Sequence, residues 1–182
     1  MPVSINGNTG VVTGLAALPD SAMSSGSIIQ VKQAVKTDTA TSTSATFTDI
    51  SGLSVSITPA STSNKILVEC CVCSGGQADS FQAFKVLRDS TAIGLGTGGT
   101  GNQTNVSFGL ASPNAATHQY ALRYGVFKFL DSPSSTSALT YKIQWSSIYS
   151  SYSSWINRPN NSADSAFYMF GSSSITVSEV AA

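Results

Sequence analysis

The chain has 182 residues, enough for one domain around a single core, and only 10% of them are charged, against about 25% in an average globular domain. Nine basic and nine acidic side chains leave a formal net charge of +0, so there is no basic excess to attract phosphates and nucleic acid is not an expected partner. The hydrophobic share of 41% is too high for a disordered chain, and a neutral surface without charge repulsion suits a component of an assembly.

Residues 1–26 differ from the rest. They carry Asn6-Gly7, a strong hairpin signal, and then Gly10, Gly14, Pro19 and Gly26. Their apolar residues are Val3, Ile5, Val11, Val12, Leu15 and Leu18. So short a segment cannot enclose them, because ordering each residue costs about 1–2 kcal/mol of backbone entropy. The expectation is an extended N-terminal arm whose apolar side chains dock on the arms of other copies or on a partner protein. The segment has neither the basic start nor the apolar stretch of a signal peptide. No run approaches 18 apolar residues, so no membrane insertion is expected. A role on an outer surface then implies assembly in a cytoplasm and release by lysis, as virions do.

From Ser27 onward one strand pattern succeeds another. Ile28, Ile29, Val31 and Val35 make the first run, and Thr46-Phe47-Thr48 the second. Leu53, Val55 and Ile57 alternate with serines, which predicts one buried and one open face, and Pro59 stops that strand. Ile66 to Cys73 is a continuous apolar run, as expected of a strand buried on both faces. Phe81 to Leu87 alternates again and turns at Arg88-Asp89-Ser90. Gly94 to Gly101 reads as a flexible loop within a polar, glycine-rich stretch that runs to Asn105. Val106 to Phe108 and the aromatic run Tyr120 to Leu130 come next, the latter ended by Asp131-Ser132-Pro133. Leu139, Tyr141, Ile143 and Trp145 share one face of an alternating strand, and Ile175 to Val177 closes the series. Eight to ten short strands without a helical period predict an all-β, antiparallel β-sandwich over residues 27–182, with a jelly roll first and another Greek-key topology as the alternative.

Catalytic and metal chemistry finds little footing. Cys70, Cys71 and Cys73 sit in one strand, where adjacent cysteines cannot easily bridge each other, and they read as small buried hydrophobes. The single histidine, His118, is too little for a metal site and carries no triad signature. Residues 96–101 match G-x-G-x-x-G, but Asn102 to Asn105 lead into a strand rather than a helix, so no dinucleotide site is expected. The acids lie mostly in turns. Glu69 and Glu179 lie in strands and read as structural ion-pair or interface members, which disfavours a paired-carboxylate polysaccharide hydrolase. No cofactor or metal is expected.

One stretch leans towards recognition. Ser146 to Trp155 interleaves Tyr149, Tyr152 and Trp155 with serines. Rigid aromatics beside adaptable hydroxyls make effective binding surfaces, and aromatic faces stack on sugars. The competing interpretation is an ordinary strand with Trp155 and one tyrosine in the core and serines facing solvent. Tyr149, Tyr152 and Trp155, with Asn102 and Asn105 of the glycine-rich stretch, are the candidates for receptor contact.

Three segments together resemble a known family. They are residues 18–31 (from Leu18-Pro19-Asp20 to Gln30-Val31), Phe47 to Pro59 with Ser63 to Val68 after it, and Ile156-Asn157-Arg158 with the ending Ser174 to Val180. In this order they resemble the distal domains of tail-fibre and virion structural proteins of marine and cyanobacterial phages. The resemblance implies a homotrimeric, non-enzymatic β-sandwich tip carried on a virion through another virion protein, with a host surface glycan or protein as its outward partner. The chain has almost no shaft before the sandwich. A head fibre or capsid decoration protein is therefore the alternative to a short tail fibre.

Overall fold

The computed structural model describes residues 23–112 and 118–182, and the backbone of two short strands before them, β1 (Ser4–Ile5) and β2 (Val12–Thr13), which pair antiparallel. The remaining strands are β3 (Ile28–Lys36), β4 (Ala40–Ser42), β5 (Thr48–Ile57), β6 (Lys65–Gly76), β7 (Phe81–Arg88), β8 (Thr91–Ile93), β9 (Phe108–Ala111), β10 (Arg123–Asp131), β11 (Leu139–Ser147), β12 (Ser154–Ile156) and β13 (Ser173–Val180).

These strands form two antiparallel sheets. In the first, β3 pairs β13, β13 pairs β6 and β6 pairs β10, while β12 and β4 extend the far end of β6. In the second, β5 pairs β11, β11 pairs β7, and β8 and β9 share the outer edge of β7. Taken in chain order, β3, β6, β10 and β13 fall in one sheet and β5, β7, β9 and β11 in the other. That interleaving of two Greek keys is the jelly roll, and it places the long strands β6 and β11 at the centre of their sheets.

The core lies between the sheets and arises from alternation. Leu53, Val55 and Ile57 of β5, Phe84 and Val86 of β7, and Tyr141, Ile143 and Trp145 of β11 face Ile66, Val68, Cys70 and Val72 of β6 and Ile175 and Val177 of β13. Residues two apart point the same way, so each alternating run delivers one apolar face. Along the β9–β10 edge an aromatic line joins the sheets: Phe84 stacks on Phe108 at 4.7 Å, Phe108 reaches Phe127 at 6.3 Å, and Phe127 reaches Phe129 at 6.1 Å. Gly125 makes room for it, because a Cβ there would lie 2.6 Å from the Phe108 ring.

Several local expectations are corrected. The run Ile66 to Cys73 is not buried on both faces: Leu67, Glu69 and Cys71 are only half-buried, and full burial begins at Val72. Phe47 lies outside β5, and the run around Thr48 and the run Leu53 to Ile57 are one strand, which bends at Gly52 with φ +87°. β9 begins at Phe108, while Ser107 bridges the sheet edge by donating its N–H to the Phe84 carbonyl at 2.9 Å. Trp145, rather than Trp155, is the core tryptophan.

The two ends of the sandwich are distinct. At one end the chain comes in through Gly26, whose N–H donates to the Ala181 carbonyl at 2.8 Å, and Ala181 returns a bond to the Ser27 carbonyl at 2.9 Å. Glu179 is fully buried here. Its carboxylate accepts hydrogen bonds from Gln30 Nε2 at 2.5 Å, Asn64 Nδ2 at 2.6 Å and the Ala60 N–H at 2.7 Å. Just inside this end, Arg88 Nη1 and the Tyr141 hydroxyl both donate to the buried carboxylate of Asp131, tying β7 and β11 to β10 across the core. At the other end β6 turns into β7, and β11 runs out towards Tyr149. The 12 residues of β6, at about 3.3 Å each, separate the two ends by roughly 35–40 Å.

Candidate functional site

At the far end, on the outer face of the second sheet, lies an open pocket of about 470 Å³. Phe81, Gln82 and Ala83 of β7 and Gly109, Leu110 and Ala111 of β9 form its strand wall; Asn102, Gln103, Thr104 and Val106 come from the β8–β9 loop, and Ile148 and Tyr149 from the β11–β12 loop. Two segments distant in sequence thus meet over one strand pair, because β9 and β11 flank β7 on opposite sides.

Each loop is held by its own polar groups. Ile148 donates its N–H to the Phe81 carbonyl at 2.9 Å, and the Tyr152 N–H closes a turn on the Tyr149 carbonyl at 3.0 Å. The buried Ser147 hydroxyl sits under that turn, 3.1 Å from the Tyr149 carbonyl and 2.8 Å from the Tyr152 carbonyl. Gln77 pins the outgoing chain by exchanging bonds with Ser153. Serines 146, 147 and 154 are therefore buried scaffold and not solvent-facing positions. The glycine-rich stretch is likewise tied together. Gly96 donates to the Val106 carbonyl at 3.1 Å and Gly99 to Asn105 Oδ1 at 3.0 Å; Thr100 donates to Gln103 Oε1 at 2.9 Å, and the Gln103 N–H returns to the Thr100 carbonyl at 3.1 Å. Residues 96–101 lead to β9 and not to a helix, as the sequence implied.

The receptor-contact candidates separate into three groups. Tyr149 and Asn102 line the pocket. Tyr152 stands behind Tyr149, edge to face at 6.3 Å, and Asn105 turns its oxygen into its own loop. Trp155 lies in β12 of the first sheet, half-buried with the Arg158 guanidinium 5.6 Å from its ring, away from the pocket lining. Of the arm residues, Ile5 and Val12 are register partners in β1 and β2, whereas Val3, Val11, Leu15 and Leu18 lie outside the described residues. Sequence reasoning missed Phe81, whose half-exposed ring meets Tyr149 edge-on at 6.0 Å. Its outward position in an alternating strand was the available signal.

The pocket's described lining holds no carboxylate, amine, guanidinium, imidazole or thiol. Two of the strand carboxylates pair elsewhere: Glu69 with Lys128 at 2.8 Å, and Asp49 with Lys142 at 2.8 Å, an attraction that, with the Gln144 amide, holds its carboxyl below the usual range. Burial pushes the Cys70 thiol up to about 12 and also raises that of Cys73, and the three cysteines are unbridged. His118 opens a short 3-10 turn, His118–Tyr120. Among the described residues no group of three or more His, Cys, Asp or Glu side chains could hold a metal ion. No protein-family model matches the chain, and no curated protein matches it.

Proposed function

We propose that the chain is a non-enzymatic virion structural protein of a bacteriophage, a short homotrimeric tail fibre held to the particle by its N-terminal arm and turned to the host by the far end of its β-sandwich. The observation that carries this reading is polarity. The arm leads in at Gly26, beside Ala181, and the pocket with Tyr149 and Asn102 lies at the opposite end. An attachment device needs that separation of anchor and contact surface. The phage assignment itself rests on the resemblance of residues 18–182.

The trimer is supported by the outer face of the first sheet. In register across it run Val126, Cys71, Ser174 and Val35, then Lys128, Glu69, Thr176 and Gln33, then Leu130, Leu67, Ser178 and Val31. Val126, Leu130, Val31 and Val35 are all more than half exposed. Exposed aliphatics on the two outer strands, β10 and β3, at either side of one polar row form the kind of exposed apolar surface that marks protein association. The partners proposed are two further copies, another virion protein at the arm, and a host glycan or protein at the pocket; nucleic acid and membrane are not among them.

Cryo-electron microscopy of particles carrying the chain tests this. Three-fold densities at the tail are expected, with a matching copy number by quantitative mass spectrometry. Copies spread over the capsid lattice would overturn the tail assignment in favour of a head fibre or decoration protein. A monomeric mass by light scattering at micromolar concentration would remove the trimer.

A further inference from the structure

Resting on that attachment reading, we infer that the pocket between the β8–β9 and β11–β12 loops takes a neutral oligosaccharide. The first argument is charge. The described lining residues carry no ionic side chain, so an acidic sugar would lose hydration without gaining a counter-ion. The second is the pairing of ring surface with free polar groups. Phe81 and Tyr149, each about half exposed, set two rings edge to face at 6.0 Å beside Ile148. A pyranose presents an apolar C–H face to such rings and hydroxyls around its rim.

Hydroxyl partners stand at the right place. The exposed side chains of Asn102 and Thr104 and the Tyr149 hydroxyl make no hydrogen bond to a described residue. Gln103 uses its oxygen to hold Thr100, which leaves its Nε2 as a donor. The buried wall residue Gln82, in contrast, turns its amide inwards to the first sheet: its oxygen accepts from Ser74 Oγ at 2.5 Å and its nitrogen donates to the Gly75 carbonyl at 2.7 Å. The polar groups left for a ligand are therefore those of the two loops, beside the rings. Amides and hydroxyls around an aromatic floor match a sugar better than an apolar peptide, whose side chains would leave those groups unpaired.

Saturation-transfer NMR on the full chain, with maltotriose and lactose as neutral probes and 3′-sialyllactose and a galacturonic acid trimer as acidic ones, tests the inference. Saturation of ring protons in at least one neutral probe is expected, with at least tenfold weaker binding of both acidic probes. Tyr149→Ala and Phe81→Ala should each weaken neutral binding at least tenfold, while Tyr149→Phe, which keeps the ring and loses only the hydroxyl partner, should weaken it less than Tyr149→Ala. Equal or tighter binding of an acidic probe overturns the inference, as does binding that survives both alanine substitutions or no binding of any probe. Competition separates this from the attachment reading. If the soluble chain blocks adsorption of particles to host cells yet binds no neutral sugar, the ligand class is wrong and attachment stands. If it binds sugar and does not block adsorption, attachment through this end fails.

Discussion

Glu179 shows how much one side chain can hold. Its carboxylate is fully buried, and its partners Gln30, Ala60 and Asn64 come from β3 and from the β5–β6 connection. All three donate, so the site requires an acceptor at both oxygens. Glu179→Gln keeps the shape but turns an N–H₂ towards a donor. It should cost about 2–3 kcal/mol, read as a lower urea midpoint at unchanged slope. Cys70 makes the opposite demand. Its thiol, at about 12 in the folded chain against 9.0 as its ordinary value, must stay neutral. A raised folded value means that its contribution is present below pH 9 and lost as pH rises towards 12, because only the unfolded chain releases the proton there. Stability should fall over that window by about 1.4 kcal/mol per pH unit for this group. Cys70→Ala should remove that share of the slope in urea titrations, leaving the shares of the other groups that the fold holds up, among them Cys73 and Tyr141, whose hydroxyl is raised by burial and by Asp131.

At the scale of strands and loops, packing decides what each sequence pattern becomes. Gly125 lies in the middle of β10, where a glycine weakens a strand. It is there because Phe108 of the other sheet crosses above it. Gly125→Ala should displace that ring and destabilise the sandwich by about 1–3 kcal/mol, measurable by chemical denaturation, with a loss of near-ultraviolet aromatic dichroism. The alternating runs in β5, β7 and β11 were legible because period two is a local property, and the buried sets Leu53-Val55-Ile57 and Leu139-Tyr141-Ile143-Trp145 emerged as expected. Cys71 and Leu67 were not legible as outward residues, since an apolar side chain on an open sheet face looks the same in sequence as one in a core. The site was half legible. Tyr149 and Asn102 were visible as an aromatic among serines and an amide in a glycine loop, but their meeting depends on β9 and β11 flanking β7, a non-local pairing. Asn105 and the serines under the tyrosine turn were misleading because a hydroxyl or amide gives no local sign of whether it faces solvent or its own backbone.

For the whole molecule, the expected division of labour runs from one end to the other. Deleting residues 1–26 should leave a folded body with the β-rich circular dichroism of the full chain, since the core residues run from Ile50 to Ala181. That body should no longer be incorporated into particles. Tyr149→Ala combined with Tyr152→Ala should leave incorporation intact and weaken adsorption at least tenfold, as loss of aromatic anchors does at other interfaces. Normal incorporation of the truncated body, or failed incorporation of the tyrosine variant, would reverse the assignment of the two ends. Val126→Glu tests the lateral contact separately. It places an acid among exposed aliphatics on β10, and it should shift the mass in light scattering from trimer to monomer without unfolding the chain.

The pair of backbone bonds between Gly26 and Ala181 and between Ala181 and Ser27 has a practical meaning for anyone who wishes to make the molecule carry cargo. Both ends of the sandwich's chain leave from the same pole, so a domain fused after Ala182 would sit beside the point where the chain enters at Gly26. A displayed peptide belongs in the β8–β9 loop, at Gly98, where an added side chain meets nothing within 4 Å. There it would leave from the free edge of the second sheet, between β8 and β9, and the ladder bonds of both sheets would stay unbroken.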